Sequence, residues 1–228
     1  KASVSLPGGC AIGARPIDLH LEVMSKMGAS IDIHHGYVEA ALPSGKRLKG
    51  IDHTFPYVSV GATENSLLAA ALADGKTILR NAAQEPEVSD LASLLVAMGI
   101  SVEGIGTSTL TIEGQLRARG VHYTIIPDRI EAGTFMVAAA MAGCPENGVT
   151  LHRVCEQDLK PSSDKLIESG HHVEFNEAGT SCTVKPGSEP IGANIVTAPF
   201  PGFPTDMQAQ FTSLFAITPG ISVVEDTI

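Results

Sequence analysis

Three stretches of the chain share one pattern of apolar and polar positions. Each has apolar residues at helical spacing, then a glycine, then a short run in which apolar and polar residues alternate. The glycines are Gly28, Gly99 and Gly170, which are spaced by 71 residues. A glycine after a helix, followed by alternation, is typical of a helix that leads into a half-buried strand. The pattern predicts helices over 16–28, 86–99 and 158–170, each followed by two strands.

A second kind of helix is predicted ahead of the later two. The segments 61–73 and 132–142 are rich in alanine and apolar nearly all round, which is typical of buried helices, and a third copy begins at Thr205. The repeating unit is therefore strand, buried helix, strand, outer helix and two strands. We count two full units, at about 51–121 and about 122–189, between two partial ones. This predicts an α/β (α+β) fold of repeated βαβαββ units packed around buried helices.

The composition favours a folded chain and argues against two classes of partner. Of 228 residues, 43% are hydrophobic and 18% are charged, so a sizeable core is expected. The net charge of −10 argues against a general nucleic-acid binder. No apolar run approaches the roughly 18 residues of a membrane span, so no membrane partner is expected. The four cysteines lack zinc-binding spacing, so we expect reduced thiols, no metal site and a cytoplasmic location.

The two ends of the sequence favour a piece of a longer chain. Lys1 is not a start methionine, and the first and last few residues both have the pattern of strands that are cut short. The sequence is therefore expected to be an interior fragment.

The densest group of unusual residues lies around Cys10. Glycines free the backbone on both sides of the cysteine, and such a loop can close over a ligand. Arg15 follows, and Pro16 stands where a first helical residue is expected. A cation and a helix N-terminus both lower a thiol pKa and favour bound anions, so we predict a reactive cysteine beside an anion site. The alternative is a buried, inert cysteine in a turn.

Five segments together resemble the enolpyruvyl transferase family. The sequence Pro-Gly-Gly-Cys-Ala-Ile-Gly-Ala-Arg-Pro at 7–16 is similar to the catalytic loop of that family, and 203–211 is the next most specific match. Shorter matches lie in family order at 58–63, 81–87 and 127–131. The resemblance implies six repeating units in a two-domain inside-out α/β barrel, which is incomplete here.

The resemblance also implies a domain boundary and a reaction. Residues 1–126 form part of the catalytic-loop domain and 127–228 part of the second domain. The implied reaction transfers the enolpyruvyl group from phosphoenolpyruvate to the 3-hydroxyl of UDP-N-acetylglucosamine, with release of phosphate. It is the first committed step of peptidoglycan synthesis. Asp206 is the implied base, whereas Cys10 is the implied acid and the site of alkylation by the antibiotic fosfomycin. No cofactor is implied, and the oligomeric state stays open.

A set of substrate-binding residues follows from the same resemblance. Arg15 contacts the phosphate of phosphoenolpyruvate, the residues after it approach the uridine, and the segment 58–61 contacts the diphosphate. Ile228 touches the nucleotide. The full implied set is Arg15, Pro16, Ile17, Asp18, Leu19, His20, Val58, Ser59, Val60, Gly61, Glu85, Asp128, Arg129, Thr205 and Ile228.

Structural roles for several of these residues stay open. Helix capping is the alternative for Ser59, Thr205 and Asp206. Surface ion pairs are the alternative for Glu85, Asp128 and Arg129. Ile228 can equally be a core strand residue, and the histidine pairs at 34–35 and 171–172 are expected to be exposed.

The sequence also departs from the family and leaves other functions open. Tyr57 stands where the family commonly has a basic residue, and Phe200 stands where it often has histidine. The sister reaction on shikimate 3-phosphate is one alternative, but that enzyme lacks the cysteine loop. A non-catalytic fragment is another. A cysteine hydrolase that uses Cys10 and His20 leaves the 71-residue repeat unexplained.

Overall fold

The computed structural model describes residues 1–8, 16–142 and 147–228. The chain divides into two compact units, Lys1–Thr124 and Ile125–Ile228. Which domain of the family each segment belongs to stays a prediction. Across the described residues, every helix is too short or too polar to cross a bilayer.

In its described residues, the first unit has two sheets and three helices. Its strands are β1 (Ala2–Ser5), β2 (Ser30–His34), β3 (Tyr37–Ala41), β4 (Asp52–Thr54), β5 (Lys76–Arg80), β6 (Ser101–Glu103) and β7 (Thr109–Glu113). Its helices are α1 (Asp18–Lys26), α2 (Val60–Ala71) and α3 (Pro86–Ala97). One sheet is antiparallel with the order β1-β3-β2, and the other has the order β4-β5-β7-β6. Only β4 and β5 run parallel in this second sheet.

The core of the first unit lies where α2 packs against β5 and β7. Alternation along these two strands buries Leu79, Leu110 and Ile112, as period-two patterning requires. Helices α1 and α3 flank α2 and contact it. Both end at the predicted glycines, Gly28 and Gly99, which adopt the left-handed backbone conformation that favours glycine.

The second unit repeats this plan. Its helices are α4 (Arg129–Met141), α5 (Glu156–Glu168) and α6 (Gln208–Ala216), and a 3₁₀ turn over Thr205–Met207 leads into α6. Its strands are β8 (Val149–His152), β9 (His172–Phe175), β10 (Ser181–Lys185), β11 (Ile195–Val196) and β12 (Val224–Glu225). Strands β8, β10 and β9 form an antiparallel sheet, and β11 pairs with β12 in parallel. The core gathers Met136, Leu159, Leu166 and Phe211 around α4.

The predicted repeat is confirmed in full for one unit and in part for the next. From β4 to β7 the order is strand, helix, strand, helix, strand, strand, as predicted. The unit predicted for about 122–189 lacks its first strand in the described residues, because no strand of this unit pairs with the backbone ahead of α4. The partial copy β11–α6–β12 reproduces the parallel strand pair of β4–α2–β5.

The alanine-rich helices are buried on one side only. Leu68 and Leu72 on α2 are about half exposed, and Phe135 on α4 is 57% exposed. The prediction that these helices are buried all round is therefore wrong in part. Most of the alanines lie against the sheets and neighbouring helices, and the opposite faces have no cover from the described residues of their own units.

One histidine that was predicted to be exposed is buried. His171 is 4% exposed, and its Nδ1 accepts the backbone N–H of Gly187 at 3.2 Å, so the ring is neutral with its proton on Nε2. Burial, helped by the neighbouring His172, lowers the pKa of His171. The folded chain therefore holds fewer protons on this ring than the unfolded chain, and protonation favours unfolding.

Folding stability is expected to fall as the pH drops below about 6.5, the ordinary pKa of histidine in an unfolded chain. The free energy of unfolding is measured by denaturant titration at about pH 7.5 and about pH 5.5. His171→Gln is expected to lose less stability between the two pH values than the wild type. His152→Gln removes an exposed histidine from β8 of the same sheet and is expected to keep the wild-type loss. An equal loss in all three chains contradicts the prediction.

Candidate functional site

The predicted site residues that the structure describes lie at the starts of helices, with Ile228 as the exception. The first N–H groups of a helix have no intrahelical acceptor, and the helix dipole is positive at that end. Helix starts therefore favour bound anions. Cys10 and Arg15 lie outside the described residues.

Helix α1 begins two residues later than predicted. Ile17 is its N-cap, with φ −123° and ψ 9°, and Ile17 has no side-chain capping bond. Asp18 is the first helical residue, so the prediction that Pro16 is the first helical residue is wrong. Pro16 has no N–H of its own, so it leaves none unsatisfied ahead of the helix. Leu19 is buried in the core, so its side chain is closed to a ligand.

His20 connects the start of α1 to the start of α2. The side-chain amide of Asn65 donates to Nδ1 of His20 at 2.6 Å, which requires a neutral ring with its proton on Nε2. The ring also lies against Gly61, where an added Cβ would come within 3.3 Å of its Cε1. Burial lowers the pKa of His20, and the nearby Asp18 opposes this effect. The ring thus joins two of the predicted substrate-binding segments.

The first turn of α2 is capped by a serine side chain. Ser59 is the N-cap, and its Oγ accepts the N–H of Ala62 at 3.3 Å. The capping role that the sequence left open for Ser59 is therefore the observed one. Thr63 is fully buried, and its Oγ1 accepts the N–H of Ala83 at 3.0 Å, which ties α2 to the segment ahead of α3. Val58 and Val60 are half-buried, whereas Gly61 is exposed.

Acidic side chains meet at the start of α3. Glu85 occupies the N-cap position and is buried, so the alternative of a surface ion pair does not describe it. Pro86 is at the first helical position, where a backbone N–H would have no intrahelical acceptor, so proline loses no hydrogen bond there. Burial raises the pKa of Glu64 on α2, and the charges of Glu87 and Glu85 raise it further. These carboxylates therefore lie close enough to repel one another.

The start of α4 combines a cap with a stacked cation. Asp128 is the N-cap, and its Oδ1 accepts the N–H groups of Ile130 at 2.8 Å and Glu131 at 3.0 Å. The guanidinium of Arg129 lies 5.8 Å from the centre of the Phe200 ring, within cation–π range. Phe200, which stands where the family often has histidine, therefore contacts a predicted substrate-binding arginine.

Asp206 lies within the 3₁₀ turn rather than at a cap. The turn has Pro204 at its N-cap position and no side-chain capping bond, so the capping roles suggested for Thr205 and Asp206 are wrong. Thr205 instead uses its hydroxyl to donate to Asp226 at 3.1 Å. Asp206 is exposed, and the next residue, Met207, is fully buried.

Ile228 lies beyond β12 and is 65% exposed, so the alternative of a core strand residue is wrong. Its N–H donates to Oδ1 of Asp226 at 3.1 Å. The same carboxylate thus contacts two predicted substrate-binding residues, Thr205 and Ile228. Hydrogen bonds from Thr197 and from the backbone of Ile228 lower the pKa of Asp226, so it is ionised at neutral pH.

Sequence reasoning missed two residues that organise these segments. Asn65 lies four residues after Gly61, on the same face of α2, so helical spacing offered a signal for it. Asp226 lies after an alternating run, and no periodicity distinguishes it from a solvated strand end. In the part of the chain that the structure describes, no group of three or more His, Cys, Asp and Glu side chains could hold a metal ion.

Gly61→Ala is expected to push the His20 ring outward and to raise its pKa towards the ordinary value of 6.5. Denaturant titration of the free energy of unfolding checks that the variant stays folded. The measurement is an NMR titration of the imidazole protons. The control is Gly120→Ala, because a Cβ there meets nothing within 4 Å. An unchanged pKa in Gly61→Ala, or the same change in the control, contradicts this contact.

Comparison with known sequences relates the whole chain to one family. The family model of EPSP synthase (3-phosphoshikimate 1-carboxyvinyltransferase) matches residues 1–228. Two proteins named UDP-N-acetylglucosamine 1-carboxyvinyltransferase, from Akkermansia muciniphila and Caulobacter vibrioides, are each 51% identical over 229 residues. The matches cover 100% of this chain and 53% and 52% of those proteins, so the chain spans about half the length of the curated relatives it matches.

Solved structures agree on the fold. The enolpyruvyl transferase NikO from Streptomyces tendae matches 98% of this chain and 53% of its own, with a TM-score of 0.80 and 23% identity. An EPSP synthase from Acinetobacter baumannii matches 97% of this chain and 51% of its own, with a TM-score of 0.62 and 22% identity. At these identities the likeness shows the fold alone, and the described residues form no closed barrel. The chain belongs to the EPSP synthase (3-phosphoshikimate 1-carboxyvinyltransferase) family and has the enolpyruvyl transferase fold.

Proposed function

We propose that this chain carries out, as part of its enzyme, the transfer of the enolpyruvyl group from phosphoenolpyruvate to the 3-hydroxyl of UDP-N-acetylglucosamine. The observation that carries the proposal is 51% identity over the whole chain to relatives named for that reaction. The fold and the position of most of the described site residues at helix starts support it. On this proposal the reaction begins peptidoglycan synthesis in the cytoplasm and so bears on cell shape and division.

The chemistry needs a base and an acid. The substrate hydroxyl adds to C2 of phosphoenolpyruvate, while its proton passes to the base and C3 gains a proton from the acid. The bond from C2 to the phosphate oxygen then breaks, C3 gives up a proton, and the enol ether forms. Asp206 is the proposed base, and its exposed carboxylate on a turn held by buried Met207 suits that role. Cys10 is the proposed acid.

The helix starts supply the proposed contacts to charged substrate groups. Arg15 and the segment from Pro16 to His20 serve the phosphate of phosphoenolpyruvate and the uridine. The segment Val58–Gly61 serves the diphosphate, because exposed Gly61 lets a phosphate approach the first-turn N–H groups of α2. Glu85, Asp128, Arg129, Thr205 and Ile228 complete the proposed set.

The two departures from the family shape this proposal differently. Tyr57 is about half exposed beside the start of α2, so the diphosphate there relies on backbone N–H groups and lacks a cation at that position. Phe200 removes a polar group, and its ring contacts Arg129 instead. We therefore expect the catalytic roles of Cys10 and Asp206 to be unaffected by either departure.

One observation favours a second candidate reaction. The matching family model is named for the transfer to 3-phosphoshikimate, and an EPSP synthase shares the fold. Against this second reaction, relatives that are 50–51% identical to the chain are named UDP-N-acetylglucosamine 1-carboxyvinyltransferase. Supplying each acceptor separately distinguishes the two reactions.

The test is labelling of the chain by fosfomycin, with and without UDP-N-acetylglucosamine, located by intact and peptide mass. When the Cys10 thiolate opens the epoxide, an S–C bond forms, a C–O bond breaks and the oxygen takes up a proton. We expect a single adduct on Cys10, formed faster with the nucleotide, because Cys10 lies close in sequence to the residues after Arg15 that are proposed to contact the nucleotide. Cys182 is the internal control, because burial raises its pKa to about 11 and keeps it unreactive.

Two results would overturn the proposal. One is the absence of an adduct on Cys10 under either condition, both in this chain and in a version extended at both ends. The other is acceleration by shikimate 3-phosphate and none by UDP-N-acetylglucosamine. Nucleotide-dependent labelling without release of phosphate from phosphoenolpyruvate identifies a chain that binds the substrates but does not turn them over, which is the non-catalytic alternative.

A further inference from the structure

Three polar contacts converge on the carboxylate of Asp226. The hydroxyl of Thr197 donates to its Oδ1 at 2.6 Å, and the hydroxyl of Thr205 donates to its Oδ2 at 3.1 Å. The backbone N–H of Ile228 donates to Oδ1 at 3.1 Å. Both oxygens of one side chain are thus used, and each contact reaches a different segment of the second unit.

The strand pairing explains why these segments meet. Strands β11 and β12 run parallel, with Val196 opposite Glu225, so Thr197 and Asp226 are the next residues at the same edge. The carboxyl ends of parallel strands are where α/β sheets bind ligands. Thr197 is fully buried, and its hydroxyl also accepts the N–H of Thr227 at 2.9 Å. Its orientation is therefore fixed, and it presents a proton to Asp226.

The hydrogen bond between Thr205 and Asp226 fixes the start of the 3₁₀ turn, which has no side-chain capping bond. No side chain caps this turn, so its first residue is held from outside by Asp226. On the other side, Met207 is buried and packs against Gly133 of α4, where an added Cβ would come within 2.9 Å of its sulfur. Asp206 lies between these two fixed neighbours with its own side chain exposed.

We propose that Asp226 is a positioning residue for the sugar nucleotide: it holds the turn that presents Asp206 and, at the same time, the backbone of Ile228. This inference rests on the proposed function, because it deepens the roles given there to Thr205, Asp206 and Ile228. Asp226 acts through these residues and needs no contact with the substrate of its own.

The test is isothermal titration of the 228-residue chain with UDP-N-acetylglucosamine, in the wild type and in Asp226→Ala and Asp226→Asn. We expect Asp226→Ala to raise the dissociation constant by at least ~tenfold, since three hydrogen bonds to a charged group are lost. Asp226→Asn keeps an acceptor for Thr197 and Ile228, so an intermediate affinity is expected. The matched control is Glu225→Ala, which removes an exposed carboxylate one residue away and should bind as the wild type does.

Titration combined with a stability measurement separates positioning from a merely structural role. Chain that is irreversibly misfolded reduces the number of sites, whereas chain that unfolds reversibly weakens the apparent dissociation constant at full stoichiometry. The free energy of unfolding of each variant is therefore measured by denaturant titration, and a loss of affinity in a variant that stays almost fully folded indicates a displaced turn. Thr205→Val adds a second arm. Because Thr205 and Asp226 share a hydrogen bond, the double variant should lose less affinity than the two single losses predict together.

The outcomes are distinguishable. Wild-type affinity in Asp226→Ala, an equal loss in Glu225→Ala, a change in stoichiometry alone, or strict additivity with Thr205→Val each overturns the positioning role. Failure of both the wild-type chain and a version extended at both ends to bind UDP-N-acetylglucosamine overturns the proposed function itself, and this role with it.

Discussion

The close packing of small side chains along α2 and α4 is the constraint on which the other elements depend. Each helix buries most of its alanines and lies between two other helices of its unit. Small side chains let helices approach closely, so the position of one helix limits the position of the next. The starts of neighbouring helices are consequently brought together. In one unit His20 of α1 bonds Asn65 of α2, and in the other Gln210 of α6 bonds Thr134 of α4 at 2.9 Å.

The three copies of the repeat solve the same local problem in different ways. A helix start exposes N–H groups that need partners. Ser59 caps α2 and Asp128 caps α4, each with its own side chain. The third copy has no cap, and its first residue is held by Asp226, 21 positions further along the chain. The uncapped copy is the one that carries Asp206, and its N–H groups are the least committed to the protein's own side chains.

The periodic features of the fold were predictable because they are local. Glycines in the left-handed conformation end α1, α3 and α5, and alternation gives the strands after them. The missing first strand of the second full repeat was not predictable, because a strand also needs a neighbour to pair with. Two helix starts were predicted two residues away from the observed ones. Helix α1 begins at Asp18 instead of Pro16, and α5 begins at Glu156 instead of Asp158, because sequence patterns locate a helix end only to within one or two residues.

The candidate site divides along the same line. Ser59 was recognisable as a capping residue from its type and place alone. For Asp128 the sequence suggested a surface ion pair instead, and its capping role was missed. The contacts of His20 with Asn65 and of Thr205 with Asp226 join residues far apart in sequence, and no spacing rule relates such pairs. The burial of His171 also escaped prediction, because it depends on Gly187, 16 residues away.

The most direct test of the account is a ¹H–¹⁵N NMR titration of the chain with UDP-N-acetylglucosamine. We expect the perturbed amides to lie at the starts of α1 and α2 in the first unit and, in the second unit, at the start of α4, in the 3₁₀ turn and at Ile228. Amides on the outer face of α5 and along β9 should not move. Perturbations centred on α5 and β9, or none at saturating nucleotide, would contradict the proposal that the nucleotide contacts these helix starts.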